Sequence, residues 1–336
     1  MLLRVPSTIR RFILVAVVLL VVPATAAPQS QTYDSFYVFG DSLSDVGNIF
    51  LSSGALGVNP AVPPSVSPHR TYYLGRFSNG PVAVEYLWEL LTGQAPGSPL
   101  GLQPSVIFQA LPPHAAVDFA FGGTGVGVLD PIPGGFLAPG LLGQIGLFQS
   151  QLAAPPSPNA LYAIITGANE YNPQDLSDPQ DVVDAIAAGI QALYGLGARH
   201  ILVSTLPDLS LEPISTDNTK SLSAITKDHN RLLKKALHDL GTELEGIDLI
   251  AFDINDVLKH DLPKGIDETT PALDVFFPPA SLPPGFRMSL CIFAAATCQD
   301  VPTFDVGLQY LFWDAIHPTT EVHRLVGEAM YKAVTN

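Results

Sequence analysis

Two short stretches near opposite ends of the chain carry residue types suited to nucleophilic chemistry. Ser42 stands in Gly40-Asp41-Ser42-Leu43-Ser44-Asp45-Val46-Gly47-Asn48, directly after an apolar run. Asp314 and His317 stand three residues apart in Phe312-Trp313-Asp314-Ala315-Ile316-His317-Pro318. A serine hydroxyl is a weak nucleophile at neutral pH and needs a base to take its proton. A neutral imidazole does this, and a carboxylate can fix its tautomer and stabilise the imidazolium. At this spacing Asp314 can turn back toward the His317 ring, and Pro318 can open the helix that follows. Neither stretch suffices alone, because a serine after a strand is commonly only a helix cap.

The elements that must bring these residues together are legible as alternating patterns. Five apolar runs read as buried strands, at residues 35–39, 117–121, 161–166, 200–205 and 248–253. Helical patterns fall at residues 82–91, 142–152, 181–196, 220–240 and 320–334. In the third of these Val182, Ile186, Ile190 and Leu193 share a face, and Thr319 or Thr320 caps the last. The alternation predicts an α/β fold with one doubly wound, flavodoxin-like, five-stranded parallel sheet and helices on both faces. Ligands of such sheets lie beyond the carboxyl ends of the strands, where Ser42 falls. A helix after Ser42 would aim its N-terminal amides there, with Gly40 and Gly47 allowing tight turns. Long proline-rich connections at 54–70, 92–116 and 261–302 carry Val62, Val66, Ile107, Phe108, Phe276, Phe277 and Phe286. These residues either wall a cleft or simply pack down.

Composition limits the partners. The 336 residues are 47% hydrophobic and 14% charged, which suits one large core, and 31 prolines and 28 glycines suit long loops. The formal charge of -15 excludes a basic nucleic-acid footprint. Two cysteines are too few for a disulfide framework or a cysteine-rich zinc site. In an oxidising compartment Cys291 and Cys298 can form a local disulfide; otherwise they are two buried thiols. His69, His114, His200, His229, His238, His260 and His323 show no shared metal-ligand spacing, so no metal is expected. Gly122-Gly123-Thr124-Gly125 lacks the lysine of a phosphate-binding loop, and no cofactor is expected.

The first residues read as an address. Arg4, Arg10 and Arg11 precede an apolar run at 12–22, and Ala24-Thr25-Ala26 supplies a small-x-small cleavage pattern. Residues 1–26 are expected to be a secretory signal peptide, and 27–336 a single domain, extracellular or periplasmic. Loss of those three arginines moves the formal charge from -15 to -18. Such a chain is self-repelling, is expected to be a monomer, and is not drawn to anionic surfaces.

The motifs together resemble one family. Gly40-Asp41-Ser42-Leu43 matches the signature of the GDSL, or SGNH, hydrolase superfamily. The longer stretch "GDSLSDVGN" is similar to the branch of plant-type GDSL esterase/lipases and secreted bacterial phospholipase/hemolysin enzymes. The resemblance implies Ser42 as nucleophile and Asp314 and His317 as the other members of a catalytic triad. The second block, "DFAFGGTG", resembles Asn-Tyr-Ala-x-Gly-Gly-Ala and implies an oxyanion donor at Gly123, with Gly122 as the rival. The third, Gly167-Ala168-Asn169-Glu170, resembles Gly-x-Asn-Asp and implies a second donor at Asn169; the Ser42 N–H is the third. Asp118 and Glu170 depart from the family's Asn and Asp, and Glu170 is expected to rearrange hydrogen bonds near Asn169. Asp45 and Asn48 also match the longer signature and are expected to hold the Ser42 loop.

The implied activity is a secreted serine esterase/lipase acting on carboxylic esters of short to medium acyl groups through an acyl-enzyme. The alternatives are a phospholipase or lysophospholipase, a glycerophospholipid acyltransferase, a carbohydrate deacetylase, or a non-catalytic binding protein. The expected partners are a small-molecule or lipid ester and, transiently, a lipid surface. A deacetylase would call for aromatic platforms, for which Tyr72, Tyr73 and Trp88 are the local candidates.

Overall fold

A computed structural model describes residues 32–132, 135–172, 175–215, 218–278, 281, 291–292 and 298–336. The expected signal peptide at 1–26, its junction with 27–336, and Phe286 lie outside the described residues. In chain order the elements are β1 (Ser35–Gly40), α1 (Asn48–Ala55), α2 (Ala83–Thr92), β2 (Gln103–Pro104), β3 (Ala116–Asp118), β4 (Asp130–Ile132), β5 (Phe136–Ala138), α3 (Leu141–Gln151), β6 (Ala160–Ile165), β7 (Tyr171–Asn172) and β8 (Asp175–Leu176). They continue with α4 (Pro179–Gly195), β9 (His200–Ser204), α5 (Thr219–Glu243), β10 (Asp248–Phe252), α6 (Ile254–His260), α7 (Leu273–Phe276) and α8 (Thr320–Thr335).

The main sheet has six parallel strands in the order β10-β9-β6-β1-β3-β2. Without the edge strand β2 this is the flavodoxin-like order, and the expected α/β class holds. The sixth strand is a correction to the expected five. β2 is two residues long and pairs Gln103 with Val117 and Pro104 with Asp118. It has no period to read, and its proline is tolerated because it lies at the sheet edge. Two small antiparallel pairs, β4 with β5 and β7 with β8, stand apart from the main sheet.

Each central strand is buried on both faces, which is why the strands read as continuous apolar runs. Along β1, Phe36 and Val38 face one core with Leu161 and Ala163 of β6, under α2, α6 and α8. Tyr37 and Phe39 face the other core with Tyr162 and Ile164, under α3, α4 and α5. On α4 the expected stripe of Val182, Ile186, Ile190 and Leu193 is buried there. Asp178 caps that helix by accepting the Gln180 N–H, with Pro179 opening it.

Candidate active site

Strand β1 delivers Ser42 to the carboxyl edge of the sheet, beside β6, where the strand order reverses. Gly40 is the last residue of β1 and not a turn residue. A side-chain carbon on it would stand 2.1 Å from the Ile165 carbonyl oxygen of β6. The close approach of two strands therefore requires glycine here. Gln144 of α3 clamps the strand end, its side-chain oxygen accepting the Gly40 N–H at 2.8 Å and its amide donating to the Gly40 carbonyl at 2.8 Å. Gly47 does take a positive φ, of 125°.

The expectation that a helix would aim free amides at the ligand is corrected. The start of α1 is occupied by Asp45, whose Oδ1 accepts the N–H groups of Gly47 and Asn48 and whose Oδ2 accepts that of Ile49. Asp45 Oδ2 also accepts the Gly122 N–H at 2.9 Å. Asn48 donates from Nδ2 to the carbonyls of Asp118 and Ala120. These two residues thus tie the Ser42 loop to the second glycine-bearing block, as expected.

At the other end of the chain, the segment before α8 folds around one carboxylate. Asp314 Oδ1 accepts the N–H groups of Ile316 at 2.8 Å and His317 at 2.7 Å. The His317 Nδ1–H is donated to Asp314 Oδ2 at 2.8 Å. That fixes the tautomer, leaving Nε2 to accept the Ser42 hydroxyl at 2.9 Å. Tyr72, fully buried, donates its hydroxyl to Asp314 Oδ2 at 2.5 Å. Burial by itself would raise the Asp314 pKa. The neighbouring His317 and the hydrogen bonds from His317 and Tyr72 outweigh it and hold the carboxyl below the usual carboxylate range. Thr319 is the helix cap position, and Pro318 precedes it and so lies outside the helix.

Two of the three expected oxyanion donors are backbone amides, those of Ser42 and Gly123. Neither N–H has a hydrogen-bond partner among the described residues. The Gly122 N–H is spent on Asp45, which leaves Gly123 as the free glycine of the pair. Gly122 instead makes room for Phe77, since a side-chain carbon there would stand 2.2 Å from that ring. Phe77 in turn lies against the His317 imidazole, ring centroids 5.1 Å apart. Asn169 follows β6 and donates one Nδ2 hydrogen to the Thr124 carbonyl at 2.9 Å, so its second hydrogen remains available.

Both departures from the family pattern are hydrogen-bonded. Glu170 Oε1 accepts the Val126 N–H at 2.7 Å, and Oε2 accepts the Ser177 hydroxyl at 3.3 Å. The longer side chain thus links the Asn169 turn to the loop after Gly123. Asp118 is completely buried and accepts the N–H groups of Val46 and Ala120. Burial, and then the adjacent Asp45, push its pKa well above the usual range. Burial also pushes Asp45 up, to about 6.

A cavity of about 360 Å³ opens beside Ser42 and Asn169. It is bounded by Ile165, Leu209, Ile214, Leu258, Val326 and Met330, on the sheet edge, the 207–215 segment, α6 and α8. None of Val62, Val66, Ile107, Phe108, Phe276 and Phe277 borders it. Val62 packs with Ile49 and Phe77, while Phe276 and Phe277 pack around Trp313 and the bonded pair Cys291–Cys298. Of the candidate aromatic platform, Tyr72 and Trp88 are buried and only Tyr73 is partly exposed. Sequence reading missed the 207–215 wall and the Tyr72 hydroxyl; a short connection and a lone tyrosine carry no periodic signal.

A family model described as GDSL-like Lipase/Acylhydrolase matches residues 36–330. A GDSL esterase/lipase of Arabidopsis thaliana is 26% identical over 347 residues, spanning 90% of this chain and 90% of its own. A phosphatidylcholine-sterol acyltransferase of Aeromonas hydrophila is 27% identical over 336 residues, again 90% of each. A thermolabile hemolysin of Vibrio parahaemolyticus is 26% identical over 325 residues, covering 93% of this chain and 66% of its own. With the family model running from β1 through most of α8, the chain belongs to the GDSL lipase/acylhydrolase family of ester hydrolases.

Proposed function

We propose that this protein cleaves carboxylic esters of short to medium acyl chains through an acyl-enzyme on Ser42. The 2.9 Å contact between Ser42 Oγ and His317 Nε2, backed by Asp314, carries the reading. In the proposed sequence His317 takes the hydroxyl proton as Ser42 attacks the ester carbonyl. Asp314 holds the ring and stabilises the imidazolium. The N–H groups of Ser42 and Gly123 and the Asn169 amide receive the oxyanion; one such donor is worth ~3 kcal/mol of barrier in other enzymes. His317 then protonates the departing alcohol, and water resolves the acyl-enzyme by the same route.

Hydrolysis of p-nitrophenyl esters from acetyl to palmitoyl, by wild type and Ser42→Ala, tests the proposal. The expected result is hydrolysis with a short-to-medium optimum, lost by at least about 10³-fold in the variant. An equally active variant overturns it. A second reading, acyl transfer from a phospholipid to another alcohol, is favoured by the name of the Aeromonas relative. An acceptor alcohol that diverts the acyl group from water would support that reading. Export, with residues 1–26 removed, belongs to the same proposal and predicts a secreted chain beginning at Ala27. Transient contact with a lipid surface also belongs to it.

A further inference from the structure

The cavity beside Ser42 is apolar along most of its wall, yet it carries carboxylates and no positive side chain. Asp41, Asp208 and Glu212 border it, and no described lysine or arginine does. Asp41 Oδ1 takes the Leu43 N–H while its buried Oδ2 has no partner among the described residues, and Asp208 Oδ1 takes the Ser210 N–H. The Glu212 carboxyl has no hydrogen-bond partner among the described residues. It projects from the 207–215 wall that the family signatures do not include. The titratable groups around it are Asp41 after β1, Tyr171 of β7, Asp208 after β9, Asp314 before α8 and His323 on α8. His323 is neutral at ordinary pH, its pKa lowered by burial to about 3.

We propose that Glu212 is a specificity-determining residue that selects acyl groups by charge, admitting uncharged chains and excluding those that end in an anion. The proposal rests on the esterase reading and adds a substrate class to it. A largely apolar space suits an acyl chain better than a hydrated alcohol, and its ~360 Å³ is at the small-molecule end of ligand pockets. An anion entering it finds no counter-charge among the described lining residues and meets carboxylates at short range. Burial, and then the charges of Asp314 and Asp41, push the Glu212 pKa up to about 8. The exclusion therefore strengthens as pH rises through that value, because an uncharged carboxyl becomes an unpaired anion.

The test compares p-nitrophenyl octanoate with the p-nitrophenyl monoester of suberic acid, which has the same chain length and a terminal carboxylate. The kcat/KM ratio of octanoate to suberate is measured at pH 6.5 and pH 9 for wild type, Glu212→Gln and Glu212→Ala. The wild-type ratio is expected to rise by about tenfold or more between the two pH values. In both variants it is expected to be flat with pH, and lower than wild type at pH 9. A structural role for Glu212 would scale both esters together and leave the ratio unmoved. A ratio that responds to pH equally in wild type and variants overturns the role of Glu212 while leaving the esterase reading intact. Absence of Ser42-dependent hydrolysis of octanoate by the folded protein overturns the esterase reading, and this proposal with it.

Discussion

Tyr72 lies 242 residues before Asp314 in the chain, yet its hydroxyl is bonded to the carboxylate that holds His317. Every hydrogen bond at Asp314 comes from a donor, so the carboxylate is both desolvated and saturated. Replacing Tyr72 with Phe removes one donor and leaves a buried lone pair exposed to hydrocarbon. We expect Tyr72→Phe to cost about 1.5–3 kcal/mol, the value of a hydrogen bond to a charged group. Part of that should appear as a lower melting temperature. The rest should appear as a lower kcat with little change in KM, because His317 is held less firmly. Unchanged kcat and melting temperature would remove Tyr72 from the arrangement. The triad itself was readable from residue types and motif resemblance. Tyr72 was not, since nothing in "TYYLG" distinguishes it from a surface tyrosine until the fold buries it.

At the scale of elements, the loop after β1 is held by carboxylates in place of a long helix. Asp45 occupies the start of α1, and Asp118, where the family pattern has Asn, is buried next to it. The sign of the resulting pH effect follows from linkage. An unfolded Asp118 ionises near pH 4, whereas the folded one resists ionisation to a higher pH. Its contribution is intact below pH 4 and is lost as pH climbs through the folded pKa. Asp118→Asn does not ionise in either state. The stability of the variant relative to wild type should therefore rise with pH above 4. The gain is about 1.4 kcal/mol for each pH unit over which only the unfolded aspartate is charged. Urea unfolding of both proteins at pH 4, 6 and 8 measures it, and a constant difference would mean that Asp118 is ionised in the fold. The strands and long helices were legible because burial on both faces leaves an unbroken apolar run and burial on one face leaves a 3.6-residue stripe. β2, α1 and α6 were not, being two to eight residues long with too few turns or alternations to show a period.

At the largest scale, among the described residues, the segment before β1 is tied to α8. Tyr33 donates its hydroxyl to the Val334 carbonyl, and α8 packs on α2 and β10. His323 of α8 accepts the Ala83 N–H at the start of α2. Helix α8 therefore supports the Asp314–His317 segment from behind, although it supplies neither residue. A chain ending at Pro318 keeps Ser42, Asp314 and His317 in its sequence. We expect it to show no ester hydrolysis and no sharp thermal transition, because the core formed by Phe36, Val326 and Met330 is opened. A folded, active truncation would show that the last helix is dispensable. The doubly wound parallel sheet was legible at this scale from the alternation of elements. The cavity wall was not, because it is assembled from the 207–215 connection, α6 and α8, segments that are neighbours only after the sheet has formed.

The bond between Ser42 and His317 joins residues 275 positions apart. A ribosome makes Ser42 long before it makes His317. On the proposed mechanism, hydrolysis must wait until the segment before α8 has been made and docked. Until then the proposed nucleophile lacks its base, and the order of synthesis itself withholds the proposed esterase activity.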